Sequence, residues 1–243
     1  EADHQAQFPE QLWQHLVDLG LNYYALPEAL GGVAAEQNIV SNILIAESLA
    51  KGDFSLTAGL LSTFSVINAI TRWGSTQVQS MYLPVFAEDT DITATFAFQE
   101  ATPAFNPFQL KTKATEQNGQ MTITGEKTLV ILGDTADVFL VSAEFNGQPD
   151  IFVVQSNETI AIKANPAMGL KAAETATLHF NQTPALRLGD ADFDYTAFVD
   201  LGNLMWCAMA IGTGEAIKAY CIKYANERTA FGEPISHRQS VAF

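Results

Sequence analysis

The residues best suited to chemistry lie in the stretch NERTAFGEPISHRQSVAF, which runs from Asn226 to Phe243. Arg228 stands there close to an aromatic residue, a glycine and a proline. A guanidinium keeps its charge at any working pH and can hold a diphosphate through paired hydrogen bonds. The same arginine could instead compensate the negative end of a preceding helix. Residue types alone therefore leave two roles open for Arg228, anion binding and helix capping.

Other reactive side chains lack the spacing that a known type of site needs. The four histidines, His4, His15, His179 and His237, do not have metal-ligand spacing, and no G-x-S-x-G nucleophile elbow occurs. The hexapeptide GTGEAI superficially resembles a dinucleotide-binding fingerprint, but it lacks the third glycine and a preceding strand. We interpret it as a helix-packing segment, and we expect no metal site.

Composition argues against several classes of protein. A net charge of −15 excludes the basic face that nucleic acids and anionic membranes require. Apolar residues make up 48%, yet polar residues interrupt the richest run, Ala58 to Ile70, so no membrane span is expected. Cys207 and Cys221 lie on one predicted helix about 21 Å apart, too far to form a disulfide. A reducing, cytoplasmic location is the simplest fit.

The hydrophobic period changes twice along the chain and predicts an α+β protein with several domains. Helical spacing dominates residues 1–91, where we expect an all-α domain. Alternating, β-branched segments fill residues 92–190 and predict an antiparallel sheet or small barrel. Helical spacing returns over residues 191–243 and indicates the beginning of a C-terminal helical bundle. Because the apolar pattern stops at Val241 and Phe243, we expect that this bundle is incomplete.

Six phrases at the joints of these domains carry a family resemblance. In chain order they are LGLNYYALPEALGG, ESLAKGDFSL, RWGSTQVQSMYLPVFAED, ITGEKTLVILGDTADVFLVSA, MGLKAAETATLHF and the stretch from Tyr224 to Phe243 with its Glu-Arg-x-x-Phe-Gly-x-Pro-Ile...Gln pattern. In order and spacing they resemble the acyl-CoA dehydrogenase family of flavoproteins from about Phe8 onward. Lys171 departs from that pattern, because it stands where the family has an arginine.

The resemblance implies an oxidoreductase of fatty acid metabolism. In such enzymes FAD binds between the β domain and the C-terminal helices, near a subunit interface. A carboxylate removes a proton α to the thioester carbonyl of an acyl-CoA while the β hydrogen leaves as hydride to the flavin. The implied partners are the acyl-CoA substrate, an electron-transfer flavoprotein as electron acceptor, and further copies of the chain in a dimeric or tetrameric homo-oligomer.

Carried over residue by residue, the resemblance assigns eight positions. Arg228 would reach the FAD pyrophosphate in a neighbouring subunit. Phe231 would pack near the cofactor, and Gln239 would approach its adenine end. The first flavin-ring phrase, which begins at Phe98, has Gln99 in place of the family's threonine. The second phrase, Leu129 to Ile131, has lost both the aromatic side chain and the hydroxyl of the family pattern. A phenylalanine replaces the serine beside the CoA arm. The predicted cofactor-binding residues are Arg228, Phe231, Gln239, Phe98, Gln99, Leu129 and Ile131, and the predicted substrate-binding residue is Phe105.

The catalytic base is not visible in this sequence. In most of the family it lies on a helix that would follow Phe243. Some members carry it near the start of the long helix instead, which corresponds here to Gly202, followed by Asn203. Asp200 is near in sequence, but we interpret it as a helix-start residue. We therefore assign no catalytic residue.

Three functions remain open at this point. The first is an acyl-CoA dehydrogenase. The second is a non-catalytic paralogue that completes a partner's FAD site in a mixed oligomer, favoured by an intact arginine signature beside altered flavin phrases. The third is a flavin oxygenase of the same fold that acts on a substrate without CoA, favoured by Phe105.

Overall fold

The computed structural model describes residues 8–33, 38–88 and 91–243; His4 lies outside them. The N-terminal part is helical, as predicted. Local side chains cap two of its helices: Asn38 accepts hydrogen bonds from the amides of Val40 and Ser41, and Asp53 accepts one from the amide of Leu56. The described residues form the helices α1 (Glu10–Asp18), α2 (Leu21–Ala25), α3 (Ile39–Ala50), α4 (Phe54–Trp73) and α5 (Thr76–Glu88).

Helix α4 is the centre of the helical core. Phe64, Ile67 and Ile70 are fully buried there, and the strand residues Leu140 and Ile151 belong to the same apolar cluster. By length and composition alone α4 could cross a membrane, which the sequence analysis did not foresee. However, 78% of its apolar window is buried inside the protein, as in the core helix of a soluble protein.

Seven strands form a closed, predominantly antiparallel barrel, which confirms the predicted middle β domain. They are β1 (Ala94–Ala97), β2 (Lys113–Gln117), β3 (Gln120–Val130), β4 (Val138–Phe145), β5 (Gln148–Gln155), β6 (Ile160–Ala164) and β7 (Ala176–Arg187). The ring closes in the order β4, β2, β3, β7, β5 and back to β4, with β1 paired parallel to β4 and β6 antiparallel to β7. The parallel pairing of β4 with β1 and β2 was not predicted.

Two features of the strands were not predicted from the sequence. The short strand β6 has only five residues, and four of them are exposed. Strand β7 continues through Pro184 to Arg187, with Pro184 paired opposite Thr122.

The long helix α6 (Tyr195–Glu227) follows the barrel and packs against α3. At Gly212 an added Cβ would lie 2.0 Å from the carbonyl oxygen of Glu47, so only glycine permits this approach of the two helices. The GTGEAI segment therefore serves helix packing, as interpreted. Cys207 and Cys221 both lie on α6 as free, exposed thiols.

A small hairpin closes the chain. Strands β8 (Thr229–Ala230) and β9 (Glu233–Pro234) pair antiparallel and are followed by helix α7 (Gln239–Ala242). Phe231 and Gly232 form the two-residue turn, both in the left-handed region with φ of +57° and +87°. The RTAFGEP phrase thus encodes a tight turn that holds a phenylalanine at its tip.

Candidate functional site

A cavity of about 570 Å³ lies between the barrel, the helical core and the N-terminal half of α6. The barrel contributes the end of β1 and the residues around the end of β3, α4 contributes its core-facing turns, and α6 contributes residues between Phe198 and Met209. The lining is mainly apolar and aromatic, with neutral amides and hydroxyls. Ligand sites of proteins commonly combine an apolar wall with a few convergent polar groups in this way.

The structure brings together five of the eight predicted site residues on this cavity. They are Phe98, Gln99, Phe105, Leu129 and Ile131. The two barrel segments involved are far apart in sequence but adjacent in space, since the amide of Thr128 donates to the carbonyl of Gln99 at 2.8 Å. The two phrases that the family resemblance assigned to the flavin ring therefore form one wall.

A buried polar network behind this wall fixes its backbone. Lys127 Nζ donates to Glu100 Oε1 at 2.9 Å, to Ser142 Oγ at 2.9 Å and to the carbonyl of Phe98 at 3.1 Å. Ser142 Oγ donates to the same Phe98 carbonyl at 3.0 Å. Two donors on one carbonyl hold the peptide between Phe98 and Gln99 in a single orientation. This role of Lys127 was not predicted from the sequence, although a lysine within a strand segment was a signal for it.

Burial governs the electrostatics of this network. Lys127 is fully buried, and desolvation lowers its pKa to about 8 although Glu100 favours the charged form. Burial alone would raise the pKa of Glu100, but hydrogen bonds from the amides of Thr112 and Lys111 and from Lys127 lower it. Both groups are therefore ionised at neutral pH. Glu100 is engaged on both oxygens and is not available as a base.

Leu129 occupies an unusual backbone conformation at the cavity edge. Its φ is +54°, in the left-handed region, and it lies where the pairing of β3 with β7 shifts register between Lys127 and Val130. Its side chain is 49% exposed. Strained backbone of this kind costs about 1–3 kcal/mol and clusters at functional sites. Leu129 and Ile131 line the cavity, while Val130 between them still pairs with Ala176 of β7.

Aromatic side chains connect the site to the start of α6. Phe98 stacks with Tyr195 at a centroid distance of 6.4 Å and meets Phe105 edge-on at 6.1 Å. Tyr195 Oη donates to the carbonyl of Pro107 at 2.8 Å, which ties the loop after β1 to the helix. Phe105 is thus part of a packed aromatic wall and leaves no hydroxyl where the family pattern has serine.

No ionisable side chain lines the cavity within the described ranges. Gly202 and Asn203, the alternative base position, do line it, and neither carries a carboxylate. Asp200 is exposed and does not contribute to the lining. Asp200 is the sixth residue of α6, and Asp194 caps the helix, so the expectation that Asp200 is a helix-start residue was wrong. That Asp200 is not a base remains a prediction.

The remaining three predicted residues lie elsewhere. Arg228, Phe231 and Gln239 are exposed around the terminal hairpin, and Phe231 is 94% exposed. Arg228 is 19 positions beyond Met209, the last cavity-lining residue of α6, which corresponds to about 28 Å along a helix. The structure does not bring these residues to the cavity of their own chain.

Comparisons with known proteins agree with this architecture. Residues 1–90 match the family model of the acyl-CoA dehydrogenase N-terminal domain, and residues 95–183 match the model of the acyl-CoA dehydrogenase middle domain. An acyl-CoA dehydrogenase of Bacillus subtilis is 28% identical, over 98% of this chain and 65% of its own length. A short-chain specific acyl-CoA dehydrogenase of Megasphaera elsdenii is 27% identical, over 100% of this chain and 67% of its own length.

A solved structure is similar as well. Butyryl-CoA dehydrogenase from Megasphaera elsdenii has a TM-score of 0.84 at 25% identity, with 99% of this chain and 67% of that chain covered. This chain therefore spans about two thirds of the length of the proteins that it resembles.

Proposed function

Since this chain belongs to the acyl-CoA dehydrogenase family, we propose that the intact protein dehydrogenates an acyl-CoA thioester between its α and β carbons, with FAD as hydride acceptor. The observation that carries this proposal is the cavity itself. It joins the two barrel phrases assigned to the flavin ring to an apolar helical wall suited to an acyl chain. The short-chain and butyryl-CoA relatives support the reaction class. They leave the acyl group of this protein open.

The residues present fit the uncharged part of FAD. Its flavin ring is flat, aromatic and neutral, and it requires apolar faces with hydrogen bonds at one edge. The cavity offers Phe98, Leu129 and Ile131 as apolar contacts and Gln99 and Thr128 as polar ones. When bound, FAD supplies the redox chemistry. The protein's part is to exclude water and to orient the thioester against the ring.

The diphosphate of FAD does not fit the same cavity, because no cation lines it within the described residues. Arg228 lies about 28 Å away along α6, farther than the ribityl chain of FAD extends. We therefore propose that Arg228, Phe231 and Gln239 serve the cofactor of a neighbouring subunit. The exposed Phe231, held at a left-handed turn, supports such a contact.

We assign the carboxylate that removes the α-proton of the thioester to a part of the protein outside the cavity wall described above. A base for an α-proton must come within hydrogen-bond reach of it, and the residues that line the cavity provide no carboxylate. Gly202 and Asn203 occupy one alternative position without one. The carboxylate is then supplied by another part of the intact protein. An electron-transfer flavoprotein as acceptor rests on the resemblance alone.

The proposal is tested with the purified full-length protein. We expect a flavin absorbance spectrum that acyl-CoA bleaches, followed by dye reduction. Replacement Arg228→Ala should lower flavin occupancy at least tenfold. Arg228→Lys should lower it less, because a point charge remains. Lys163→Ala, which removes an exposed cation on β6 away from the cavity lining, is the control. A flavin-free protein that oxidises no acyl-CoA would exclude the proposal.

The subunit arrangement has its own test by complementation. An added side chain at Gly202 meets open space and faces the cavity, so Gly202→Trp should block flavin entry without disturbing the helix. We expect neither Gly202→Trp nor Arg228→Ala to hold flavin alone. When the two are co-expressed, hybrid oligomers should contain one intact site each. No recovery in isolated hybrids would show that Arg228 acts within its own chain.

The non-catalytic paralogue is the second candidate. It is favoured by the absence of an ionisable group among the described residues that line the cavity, and by the altered phrases at Gln99, Leu129 and Ile131. On that reading the purified protein carries no flavin alone, and it raises flavin occupancy when mixed with an intact family member through Arg228. A flavin-loaded homo-oligomer would rule it out.

A further inference from the structure

The helical wall of the cavity contains a polar cluster that dehydrogenation of a plain acyl chain does not require. Asn42 on α3 and Asn68 on α4 both line the cavity although they are only 7% and 8% exposed. Ser65, three positions before Asn68 on the same helix face, lines it too. We call Asn42, Ser65 and Asn68 the polar patch. Most of their neighbours on this wall are apolar: Ala58, Leu61, Phe64, Ala69, Met205 and Met209.

The hydrogen bonds of the patch fix the orientation of both amides. Asn68 Nδ2 donates to the carbonyl of Phe64 at 2.8 Å. A carbonyl can only accept, so Asn68 must turn its Oδ1 away, toward Asn42. Asn42 Nδ2 then donates to that oxygen at 3.2 Å. The series of bonds therefore ends in an acceptor, Asn42 Oδ1.

No hydrogen bond of the described residues gives that acceptor a donor, and Asn42 lines the cavity. Among the described residues, the buried side-chain polar atoms that lack both a partner and solvent contact are Thr71 Oγ1 and Thr175 Oγ1. Asn42 Oδ1 is not one of them, and the space beside Asn42 is the cavity. Ser62, by contrast, donates its hydroxyl to the carbonyl of Ala58 at 2.8 Å and is satisfied within its own helix.

A plain alkyl chain would be a poor occupant of this end of the cavity. It would displace water from Asn42 Oδ1 and leave the acceptor without a hydrogen bond, at a cost that favours any ligand with a donor there. Sites that hydrogen-bond a substrate hydroxyl discriminate strongly against the analogue without it. No charged side chain lines the cavity among the described residues, so a neutral donor suits it better than an ammonium or a carboxylate.

We propose that the cavity selects an acyl group that carries a hydroxyl, which donates a hydrogen bond to Asn42 Oδ1. This inference rests on the proposed function, since it takes the occupant of the helical wall to be the acyl chain of a CoA thioester. Asn42 is then a specificity-determining residue, oriented by Asn68 and the carbonyl of Phe64.

The test compares matched ligands on the full-length protein. S-Butyl-, S-hexyl- and S-octyl-CoA thioethers, which cannot react, are titrated by calorimetry beside their ω-hydroxy counterparts. We expect one ω-hydroxy ligand to bind about tenfold or more tightly than its plain partner. Asn42→Leu should abolish that preference. Asn68→Leu, which removes the anchor of Asn42, should abolish it as well.

Asn22→Leu is the matched control, because Asn22 is equally buried at 7% exposure but does not line the cavity. It should retain the preference. Should Asn42→Leu fail to fold, Asn42→Ser shortens the side chain with less change in polarity, and it should also lose the preference. Thermal unfolding confirms that each variant is folded.

The outcomes separate the two proposals. Tight binding without hydroxyl preference, or a preference that survives Asn42→Leu, overturns the inference and leaves the proposed function standing. An Asn42-dependent preference in a protein that oxidises neither series upholds the inference and overturns the dehydrogenase. If no CoA ligand binds at all, both are overturned.

Discussion

Replacement of Lys127 by methionine should expose the cost of the buried network behind the cavity wall. Methionine keeps the length of the side chain but removes the charge and three hydrogen bonds, to Glu100, Ser142 and the Phe98 carbonyl. Glu100 would remain as a buried carboxylate without its counter-ion. Breaking a buried ion pair by removing one partner costs about 3–5 kcal/mol. We expect Lys127→Met to lower the free energy of unfolding near pH 7 by that amount.

The pH dependence gives a sharper signature. The folded-state pKa of Lys127 is lowered to about 8 from the ordinary value of 10.5. Between these values the unfolded chain holds one more proton than the folded chain, so stability rises with pH across the interval. From about pH 7 to about pH 9.5 the Lys127 contribution amounts to about 2 kcal/mol, at 1.36 kcal/mol per pH unit.

Urea unfolding followed by circular dichroism measures both effects. The difference between the protein and Lys127→Met cancels groups that titrate alike in the two, and it should widen by about 2 kcal/mol over this range. Lys113→Met is the control, because Lys113 on β2 pairs with Glu144 at the surface, with its side chain 54% exposed. It should show little of either effect. A difference that stays constant with pH would show that Lys127 is not a desolvated ammonium.

Three further predictions concern the framework of the site. Gly212→Ala should destabilise the protein by about 2 kcal/mol or more, because the new Cβ would meet the carbonyl of Glu47 at 2.0 Å. Gly214→Ala is the control: its Cβ meets open space, so it should stabilise α6 by up to about 1 kcal/mol. Urea unfolding of the two variants measures both effects. Tyr195→Phe should cost about 1–2 kcal/mol, since it leaves the carbonyl of Pro107 without its donor, and the loop around it should become more sensitive to limited proteolysis. Asp194→Ala removes the cap that accepts the Ala197 amide at 2.9 Å and should cost about 1 kcal/mol; Asp194→Asn, which can still cap, should restore most of it in thermal unfolding.

The sequence predicted the order of helical and β parts because hydrophobic period is a local property. It also predicted that Phe98 and Gln99 would meet Leu129 and Ile131, but only through the family resemblance. The Lys127 network and the Asn42–Asn68 pair were missed. Each depends on partners between 15 and 29 positions apart, which only the tertiary fold brings together. Strand β6 was missed because its exposed residues lack alternation.

The changed flavin phrases are compatible with a cofactor wall because the wall is shaped by backbone as much as by side chains. The amide of Thr128 joins it to Gln99, Lys127 and Ser142 orient the Phe98 carbonyl, and the left-handed Leu129 turns the strand end toward the cavity. None of these contacts requires the aromatic or hydroxyl side chain that the family pattern places there. If the wall holds the ring as proposed, loss of those side chains weakens contacts to the ring but leaves the shape of the wall intact. By this reasoning, restoring a hydroxyl with Ile131→Thr should raise flavin affinity without changing stability by more than about 1 kcal/mol, whereas Lys127→Met should lower both. Equal flavin affinity in all three proteins would show that the wall does not contact the ring.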